Sequence, residues 1–352
     1  MKILVDIVHP AHVHFFRNPI ALWQEAGHEV CITSRKKEIA TDLLDHLALP
    51  HQVLSELGEG GLFGLAGELI RRNRALLRVI NVFNPDVMVG IAGPSIAHTG
   101  VLKRIPSIVF YDTENATLSN AITYPFASWV VVPRCYASWL PRRHHRYSGY
   151  HELSYLHPAR FTPDRALAEA NGLDPERQTF FLRTVSWQAS HDRFDSGWSI
   201  ALLETTVEFL AQHGHVIISS EQALPDRLKH YAYTGDPFLI HHVMAFSRLF
   251  VGESATMASE CAVLGVPAIY AANTGRGYTD EQETLYGLVA NLRTFDWPML
   301  ERTITRMLER SSDDWQQARK RLLDDTEDVA KLVADTALRV GRGESPTSVE
   351  SI

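Results

Sequence analysis

The sequence predicts an α/β protein of two domains, each built on a doubly wound parallel sheet. Its 352 residues exceed the roughly 100–200 residues of an ordinary domain. Short apolar runs alternate with longer amphipathic ones in both halves, which is typical of βαβ units. Hydrophobic residues make up 45% of the chain and charged residues 21%, so the composition is that of a globular protein and excludes a wholly disordered one.

The first half alternates strands and helices as far as about residue 150. The predicted strands are Lys2–Val8, Glu29–Thr33, Gln52–Leu54, Val87–Val89, Ser107–Phe110 and Trp129–Val132. The best helix is Phe16–Ala26, because its apolar residues recur at helical spacing and Gly27 follows as a C-cap. A second helix runs from Leu65 to about Val82 and ends before Pro85, which cannot donate a backbone hydrogen bond.

The alternation pauses at Gly149–Pro158, which predicts an ordered linker and divides the chain into domains of residues 1–150 and 151–340. The second domain restarts with a helix at Asp164–Asn171. Its predicted strands are Thr179–Arg183, His215–Ser219, Leu249–Val251 and Ala268–Tyr270. The stretch from about Trp297 to Val340 is predicted to be helical, and residues 341–352 are predicted to form a frayed tail.

Bulk features exclude several classes of function. The formal net charge is -7 and the pI about 6.2, so we expect no nucleic acid partner, which would require clustered lysines and arginines. The three cysteines lie far apart without metal or disulfide spacing, which fits a reducing cytoplasm. No apolar run reaches about 18 residues, so no membrane span is expected. The basic runs Arg71–Arg74 and Pro141–Arg146 fit either a solvated face or peripheral contact with anionic lipid.

The strongest chemical signal is the segment Leu249–Glu260, which predicts a strand, a tight turn and a helix that begins with small residues. Helix N-termini carry unpaired amides and partial positive charge, so a diphosphate fits against Ser254, Ala255 and Thr256. Glu260 lies about 6 Å further along the same helix face, where its carboxylate could accept both hydroxyls of a ribose. The alternative is an ordinary N-cap followed by an acid that favours the helix dipole. The next predicted strand follows closely, which places the helix start at the carboxyl edge of the sheet, where α/β proteins bind ligands.

Histidines and carboxylates follow two predicted strands of the first half. His12 and His14 follow the first strand, and either is a candidate general base because imidazole titrates near neutral pH. A structural role at the helix start is the alternative for each. Asp112 and Glu114 follow the strand Ser107–Phe110 and are candidates for a base or an acceptor-binding group, or for a solvated loop pair. A zinc site needs three or four ligands, and further residues that hydrogen-bond to those ligands, so we expect no metal.

Segments in both halves resemble known proteins. Glu253–Glu260, followed by Leu264–Pro267 and Asp280–Gln282, resembles the nucleotide-sugar motif of GT-B proteins. His12–Pro19, running into Ala26–Val30, is similar to the first βαβ unit of MurG-like glycosyltransferases. The chain is identified as resembling the domain of unknown function 354 family, which is grouped with GT-B glycosyltransferases and non-hydrolysing UDP-N-acetylglucosamine 2-epimerases. This resemblance implies two Rossmann-like domains that face each other across a cleft, with the acceptor side first and the nucleotide-sugar side second.

The resemblance also implies roles for individual residues. In the epimerases a Ser-Gly-Gly-x-Gln-Glu-Glu run holds the diphosphate and ribose of UDP. Ser254, Ala255 and Thr256 match its phosphate positions and Glu260 its ribose acid, although both glycines are replaced here. Glu114 matches the carboxylate of the epimerase His-Val-Glu-Ala-Gly segment and is implied as an acid in the cleft.

Two departures argue against 2-epimerisation. The epimerase Gly-Asp acid is replaced by Ala92-Gly93, and the segment that begins at Arg183 has its histidine displaced to His191. Ser190 in that segment is included as a candidate donor contact. Arg183 and Arg276 are candidates to neutralise a leaving diphosphate, because guanidinium matches phosphate geometry. Gln282 is carried over from the resemblance as a sugar or phosphate contact.

These observations predict a metal-independent glycosyltransferase with a UDP-type donor, an unidentified saccharide or lipid-linked acceptor and no cofactor besides the nucleotide-sugar donor. One alternative is a sugar-nucleotide epimerase or hydrolase that uses the same donor site. The other is a nucleotide-sugar binding protein without catalytic activity.

Overall fold

A computed structural model of the protein describes residues 1–36, 39–56, 61–185, 198–294 and 296–346. The chain divides into two compact units, one made of Met1–Arg160 with Glu327–Ile352 and the other of Phe161–Thr326. Each unit contains a parallel sheet flanked by helices, which confirms the predicted α/β class.

The strands and helices of the described residues are numbered along the chain. The strands are β1 Lys2–Ile7, β2 Glu29–Lys36, β3 His51–Glu56, β4 Val87–Ile91, β5 Ser107–Phe110, β6 Trp129–Pro133, β7 His144–Tyr147, β8 Thr179–Thr184, β9 His215–Ser220, β10 Leu249–Gly252, β11 Ala268–Ala271 and β12 Val289–Leu292. The helices are α1 Pro10–Glu25, α2 Ala40–His46, α3 Gly61–Phe83, α4 Pro94–Lys103, α5 Thr117–Thr123, α6 Leu153–Leu156, α7 Arg165–Ala170, α8 Ile200–Ala211, α9 Ile240–Ala245, α10 Ala255–Leu264, α11 Gly277–Glu281, α12 Trp297–Glu309, α13 Ser312–Asp324 and α14 Val329–Gly341.

The sheet of the first unit has the order β3-β2-β1-β4-β5-β6-β7. Every neighbouring pair is parallel, so the turns after the strands share one carboxyl edge. The order reverses between β1 and β4, and open α/β sheets bind ligands at such a switch point. The carboxyl edge near β1 and β4 is therefore the expected ligand side of this unit.

Helices cover both faces of this sheet. One face packs against α3, α4 and α5 through a buried cluster that includes Leu76, Ile96 and Tyr124. On the other face Phe110 of β5 contacts Phe15 of α1, with ring centroids 5.3 Å apart. Alternate strand residues point to opposite faces, and both faces are buried, which explains the nearly continuous apolar strands in the sequence.

The C-terminal helix α14 belongs to the first unit. It packs against α1, α6 and β4, and the indole Nε1 of Trp23 donates to the carbonyl oxygen of Ala334 at 3.1 Å. The sequence instead assigns all residues up to 340 to the second domain, because helical periodicity identifies a buried face but not the surface that it contacts. The division between the units falls after Arg160 rather than near residue 150.

Three of the differences from the sequence prediction have a clear physical reason. Helix α1 begins at Pro10 rather than Phe16, because the side chain of His9 caps it and proline fits the first turn. Strand β7 is an edge strand with the sequence His-His-Arg-Tyr, of which only Tyr147 is buried, so it has no apolar pattern and is held by its backbone pairing with β6. Strand β12 has only four residues and is also an edge strand.

The sheet of the second unit has the order β12-β11-β10-β8-β9, again with parallel neighbours. Strand β10 lies in the middle and is entirely buried. At its end a Cβ on Gly252 would overlap the carbonyl oxygen of Arg183, so only glycine allows β8 and β10 to approach so closely. The start of α10 therefore lies directly beside the end of β8.

Within the described ranges, no helix combines the length and apolar character that a membrane crossing requires.

Candidate functional site

Strand β10, the turn that follows it and helix α10 form the arrangement predicted for Leu249–Glu260. Ser254 is the N-cap, and its hydroxyl accepts a hydrogen bond from the amide of Met257 at 3.3 Å. Ser254 and Thr256 are half-buried, and Ala255 is buried. The first-turn amides of a helix have no carbonyl partner within that helix, so those of Ala255 and Thr256 are aligned with the positive end of the helix dipole. No large side chain of residues 254–256 covers this end of α10.

Glu253 holds this turn in place through hydrogen bonds. Its carboxylate accepts hydrogen bonds from the backbone amides of Val185 at 2.9 Å and Trp198 at 3.0 Å. The indole Nε1 of Trp198 in turn donates to the carbonyl oxygen of Ala271 at 3.1 Å. Glu253 therefore connects the turn before α10 with residues on both sides of segment 186–197, which lies outside the described residues. Sequence reasoning included Glu253 in the motif without giving it this role.

Glu260 lies inside the second unit. It is 5% exposed, and its Oε1 atom is 2.9 Å from Nε2 of His241, which is also buried. A ribose would therefore have to share this carboxylate with His241, and the predicted ribose contact stays a prediction. The His241 partner was not found from the sequence, because α9 and α10 are separate helices and nothing in their spacing indicates that they meet.

Gln282 is fully buried, in a π-helical turn at Gln282–Tyr286. Its Nε2 atom donates to the hydroxyl of Ser259 at 2.7 Å, so it supports α10 from the inside. The structure thus places Gln282 behind the helix and not on an open surface, and its predicted contact with a sugar or phosphate is untested.

Arg183 lies near the end of β8, and Arg276 follows β11. Arg183 is beside the α10 turn, because the Glu253 amide donates to its carbonyl oxygen at 3.0 Å. The Arg183 guanidinium donates to the hydroxyl of Ser219 at 2.8 Å and to the carboxylate of Glu221 at 2.6 Å. Arg276 precedes α11 and donates to a neighbouring backbone carbonyl. Ser190 lies outside the described residues.

In the first unit Asp112 is paired with His151. Asp112 follows β5 and His151 follows β7, and their Oδ2 and Nδ1 atoms are 3.3 Å apart. The hydroxyl of Thr113 donates to the other carboxylate oxygen at 2.9 Å. His151 is 7% exposed and packs against the ring of Phe15, with centroids 4.5 Å apart. Sequence reasoning missed His151, because it lies in the segment that was interpreted as a linker.

The surroundings of Asp112 keep its carboxylate ionised. Burial alone would raise the pKa of Asp112, but the charge of His151 and the hydrogen bonds from His151 and Thr113 outweigh it, with a smaller contribution from the charge of His12. The pKa falls from 3.8 to about 2. At neutral pH the first unit therefore presents a negative charge at the carboxyl edge of its sheet, on a side chain that is 22% exposed.

The histidines after β1 have different environments. Nδ1 of His9 accepts from the amide of Ala11 at 3.2 Å, which makes His9 a cap of α1. Nδ1 of His12 accepts from the amide of Val8 at 3.4 Å, so neutral His12 carries its proton on Nε2 and can donate but not accept there. His14 is half-buried, with its ring centroid 5.4 Å from that of Tyr155. Between the two predicted bases, this geometry favours His14.

Glu114 follows β5, two residues after Asp112. Glu114 is half-buried, and its backbone carbonyl accepts from the hydroxyl of Ser138 at 3.2 Å. Among the side chains that the structure describes, no group of three or more His, Cys, Asp or Glu residues is arranged to hold a metal ion.

The Asp112 pairing should contribute to stability in a pH-dependent way. The pKa of Asp112 is lower in the folded than in the unfolded state, so its contribution is complete above about pH 4 and is lost as the pH falls towards 2. We expect Asp112→Asn to lower the free energy of unfolding by about 2 kcal/mol at about pH 5. That difference should shrink towards zero between about pH 4 and pH 2, as measured by hydrogen exchange in the first unit. A difference that stays constant over this range would contradict the lowered pKa of Asp112.

Two parallel doubly wound sheets, with candidate ligand groups at the carboxyl edge of each, define a protein of the GT-B fold. The chain belongs to the family described as "Protein of unknown function (DUF354)", which matches residues 1–329. The resemblance noted in the sequence is thereby confirmed. A search of curated proteins found no match.

Solved structures share this fold at low sequence identity. UDP-GlcNAc 2-epimerase from Neisseria meningitidis, bound to UDP-GlcNAc, is 13% identical with a TM-score of 0.68, covering 96% of this chain and 100% of its own. MnaA from S. aureus, in a co-structure with UDP, is 8% identical with a TM-score of 0.69, covering 100% and 99%. The calicheamicin glycosyltransferase CalG4 is 13% identical with a TM-score of 0.60, covering 97% and 98%. At these identities the likeness establishes the fold.

Proposed function

We propose that this protein is a metal-independent glycosyltransferase that takes a sugar from a UDP-type donor. The observation that carries the proposal is the N-terminus of α10, where small side chains and first-turn amides lie at the carboxyl edge of the second sheet. Such helix ends bind phosphate groups through amide donors and the helix dipole. The fold shared with proteins solved in complex with UDP or UDP-GlcNAc supports the same class of ligand.

The donor diphosphate would lie against the amides of Ala255 and Thr256. As the bond between the sugar C1 atom and the diphosphate breaks, negative charge grows on the departing UDP. Amides that are already oriented by the helix stabilise this charge without reorganisation. Arg183, beside the same turn, would add positive charge by exchanging part of its pairing with Glu221 for the diphosphate.

The acceptor would bind at the carboxyl edge of the first sheet. Asp112, ionised and fixed by His151 and Thr113, would accept a hydrogen bond from the acceptor hydroxyl and orient it. The hydroxyl oxygen then bonds to C1 of the sugar while its proton passes to a general base, for which His14 and Glu114 are the candidates. The products are a glycosylated acceptor and UDP.

Product analysis separates this proposal from its two rivals. An epimerase or hydrolase would convert the donor without an acceptor, and a binding protein would convert nothing. A transferase should release UDP in proportion to the glycosylated saccharide or lipid-linked acceptor, as followed by mass spectrometry of both products. The replacement of the epimerase acid by Ala92-Gly93 is the observation that favours transfer over 2-epimerisation.

Replacing Thr256 with glutamate should abolish donor binding. A carboxylate at this position would occupy the amides that the diphosphate needs and repel its charge, so we expect UDP affinity to fall at least about 100-fold, which corresponds to about 2.7 kcal/mol. Thr305→Glu is the matched control, because Thr305 is an exposed threonine on α12 of the same unit. Isothermal titration calorimetry measures both. Equal affinities for Thr256→Glu and the control would exclude the α10 site.

A further inference from the structure

The outer surface of α3, α4 and α5, together with Phe126 and the loop of residues 137–143, is here called the outer helical face. Its exposed charged side chains are Arg71, Arg74, Arg78, Lys103, Arg104, Arg142 and Arg143. The acidic residue of α3, Glu68, is buried and bonded to Arg35, and the sequences of α4 and α5 contain no acidic residue. The whole chain has 41 acidic and 34 basic residues, so this face has the opposite sign to the net charge.

The same face also exposes large apolar side chains. Thirteen large hydrophobic residues of the described chain are exposed, and seven of them lie here: Ile70, Val82, Val101, Leu102, Leu118, Phe126 and Trp139. Trp139 is 75% exposed and Val82 is 88% exposed. Single exposed apolar residues are ordinary, but a concentration on one face indicates an interaction surface.

Side-chain contacts connect the parts of this face. The Nδ2 atom of Asn73 on α3 lies 3.3 Å from Nδ1 of His98 on α4. The His98 ring meets Phe126 edge-on at a centroid distance of 4.9 Å. Beyond Phe126, the rings of Tyr124 and Trp139 are 6.2 Å apart. These contacts join α3 to α4, α4 to Phe126, and Tyr124 to the loop of residues 137–143, all within the first unit.

We propose that the outer helical face docks onto a membrane surface that contains anionic lipid. Lysine and arginine side chains match lipid phosphates, and an exposed tryptophan among aliphatic side chains suits the boundary between headgroups and acyl chains. A protein partner would need an acidic surface to match this face, and binding to vesicles of lipid alone separates the two. A polyanion such as nucleic acid would explain the charge but not seven exposed apolar side chains. This inference is independent of the proposed glycosyl transfer.

Vesicle co-sedimentation of the full chain tests this proposal. With phosphatidylcholine vesicles that contain phosphatidylglycerol, we expect a bound fraction about ten-fold higher than with phosphatidylcholine alone. Raising the salt from about 0.1 M to about 0.5 M should weaken binding, because the charged contacts are exposed and screened. Equal binding to both vesicle types, or no binding to either, would overturn the proposal.

Paired variants test whether vesicle binding depends on this face or only on the overall charge of the protein. We expect R142E/R143E, and separately Trp139→Ser, to lower binding to the anionic vesicles at least about five-fold. The controls are R227E/R302E and Leu285→Ser, which make the same charge change and a comparable apolar change at exposed positions of the second unit. The controls should bind as the unaltered protein does. Equal losses in both sets, or tighter retention by duplex DNA than by anionic vesicles, would overturn the assignment to lipid.

Discussion

Replacing Asp112 with asparagine is expected to lower the rate of sugar transfer about 100-fold or more while UDP affinity stays unchanged. Asparagine keeps the shape of the side chain but removes the charge that pairs with His151. In the proposed mechanism the same charge orients the acceptor. The loss should fall on kcat and on the KM for the acceptor, because the proposed donor site is on α10, in the other unit. Initial rates at varied acceptor concentration, together with titration of UDP, measure the two effects separately.

Two further variants make this prediction specific. Asp42→Asn removes an exposed carboxylate from α2 of the same unit and should leave transfer unchanged. His151→Ala should give an intermediate loss, because it removes the group that positions Asp112 and leaves the carboxylate in place. Full activity in Asp112→Asn, or a loss of UDP affinity equal to the loss of transfer, would contradict the acceptor role.

Replacing Arg72 with methionine is expected to destabilise the first unit by about 3–5 kcal/mol. Arg72 is 4% exposed and ion-paired with Asp6, which is 2% exposed, at 2.5 Å. Its guanidinium also donates to the carbonyl oxygen of Ser34 at 3.1 Å and the hydroxyl of Ser55 at 3.0 Å. Methionine fills much of the volume but leaves the Asp6 carboxylate buried without its cation, which is the source of the expected cost.

Hydrogen exchange on peptides of β1 and β2 measures this effect in the first unit alone. The control Arg74→Met removes an exposed arginine two residues away and should change the free energy of unfolding by less than about 0.5 kcal/mol. The double variant Asp6→Asn with Arg72→Met should recover part of the loss, because the buried charge is then absent. A change in Arg72→Met as small as in Arg74→Met would contradict the buried network.

The central strands could be predicted from the sequence because both faces of each sheet are buried. Runs such as Val87–Val89 and Leu249–Val251 are apolar without interruption, so they can be recognised as buried strands from the local sequence alone. The edge strand β7 lacks it, since it has no run of apolar residues and is paired through its backbone with β6 alone. The other edge strand, β12, is mostly apolar but has only four residues. The family resemblance was also visible, because its motifs are contiguous segments.

The candidate site was only partly predictable. The α10 turn is local, so its residues could be identified one after another along the chain. The partners Asp112 with His151 and Glu260 with His241 join elements that are distant in sequence, and a single sequence does not record such pairs. The burial of Gln282 was equally hidden, because a polar residue that bonds inside the core resembles an exposed one in sequence.

Calorimetric titration of the unaltered protein with UDP, UDP-sugars and the corresponding adenine and guanine nucleotides tests the central assignment most directly. We expect UDP and at least one UDP-sugar to bind with a dissociation constant between about 1 μM and 1 mM, the range of typical enzyme substrates. No binding of any uridine nucleotide, with an adenine or guanine nucleotide bound instead, would contradict the UDP-type donor. No binding of any nucleotide would contradict the donor site itself.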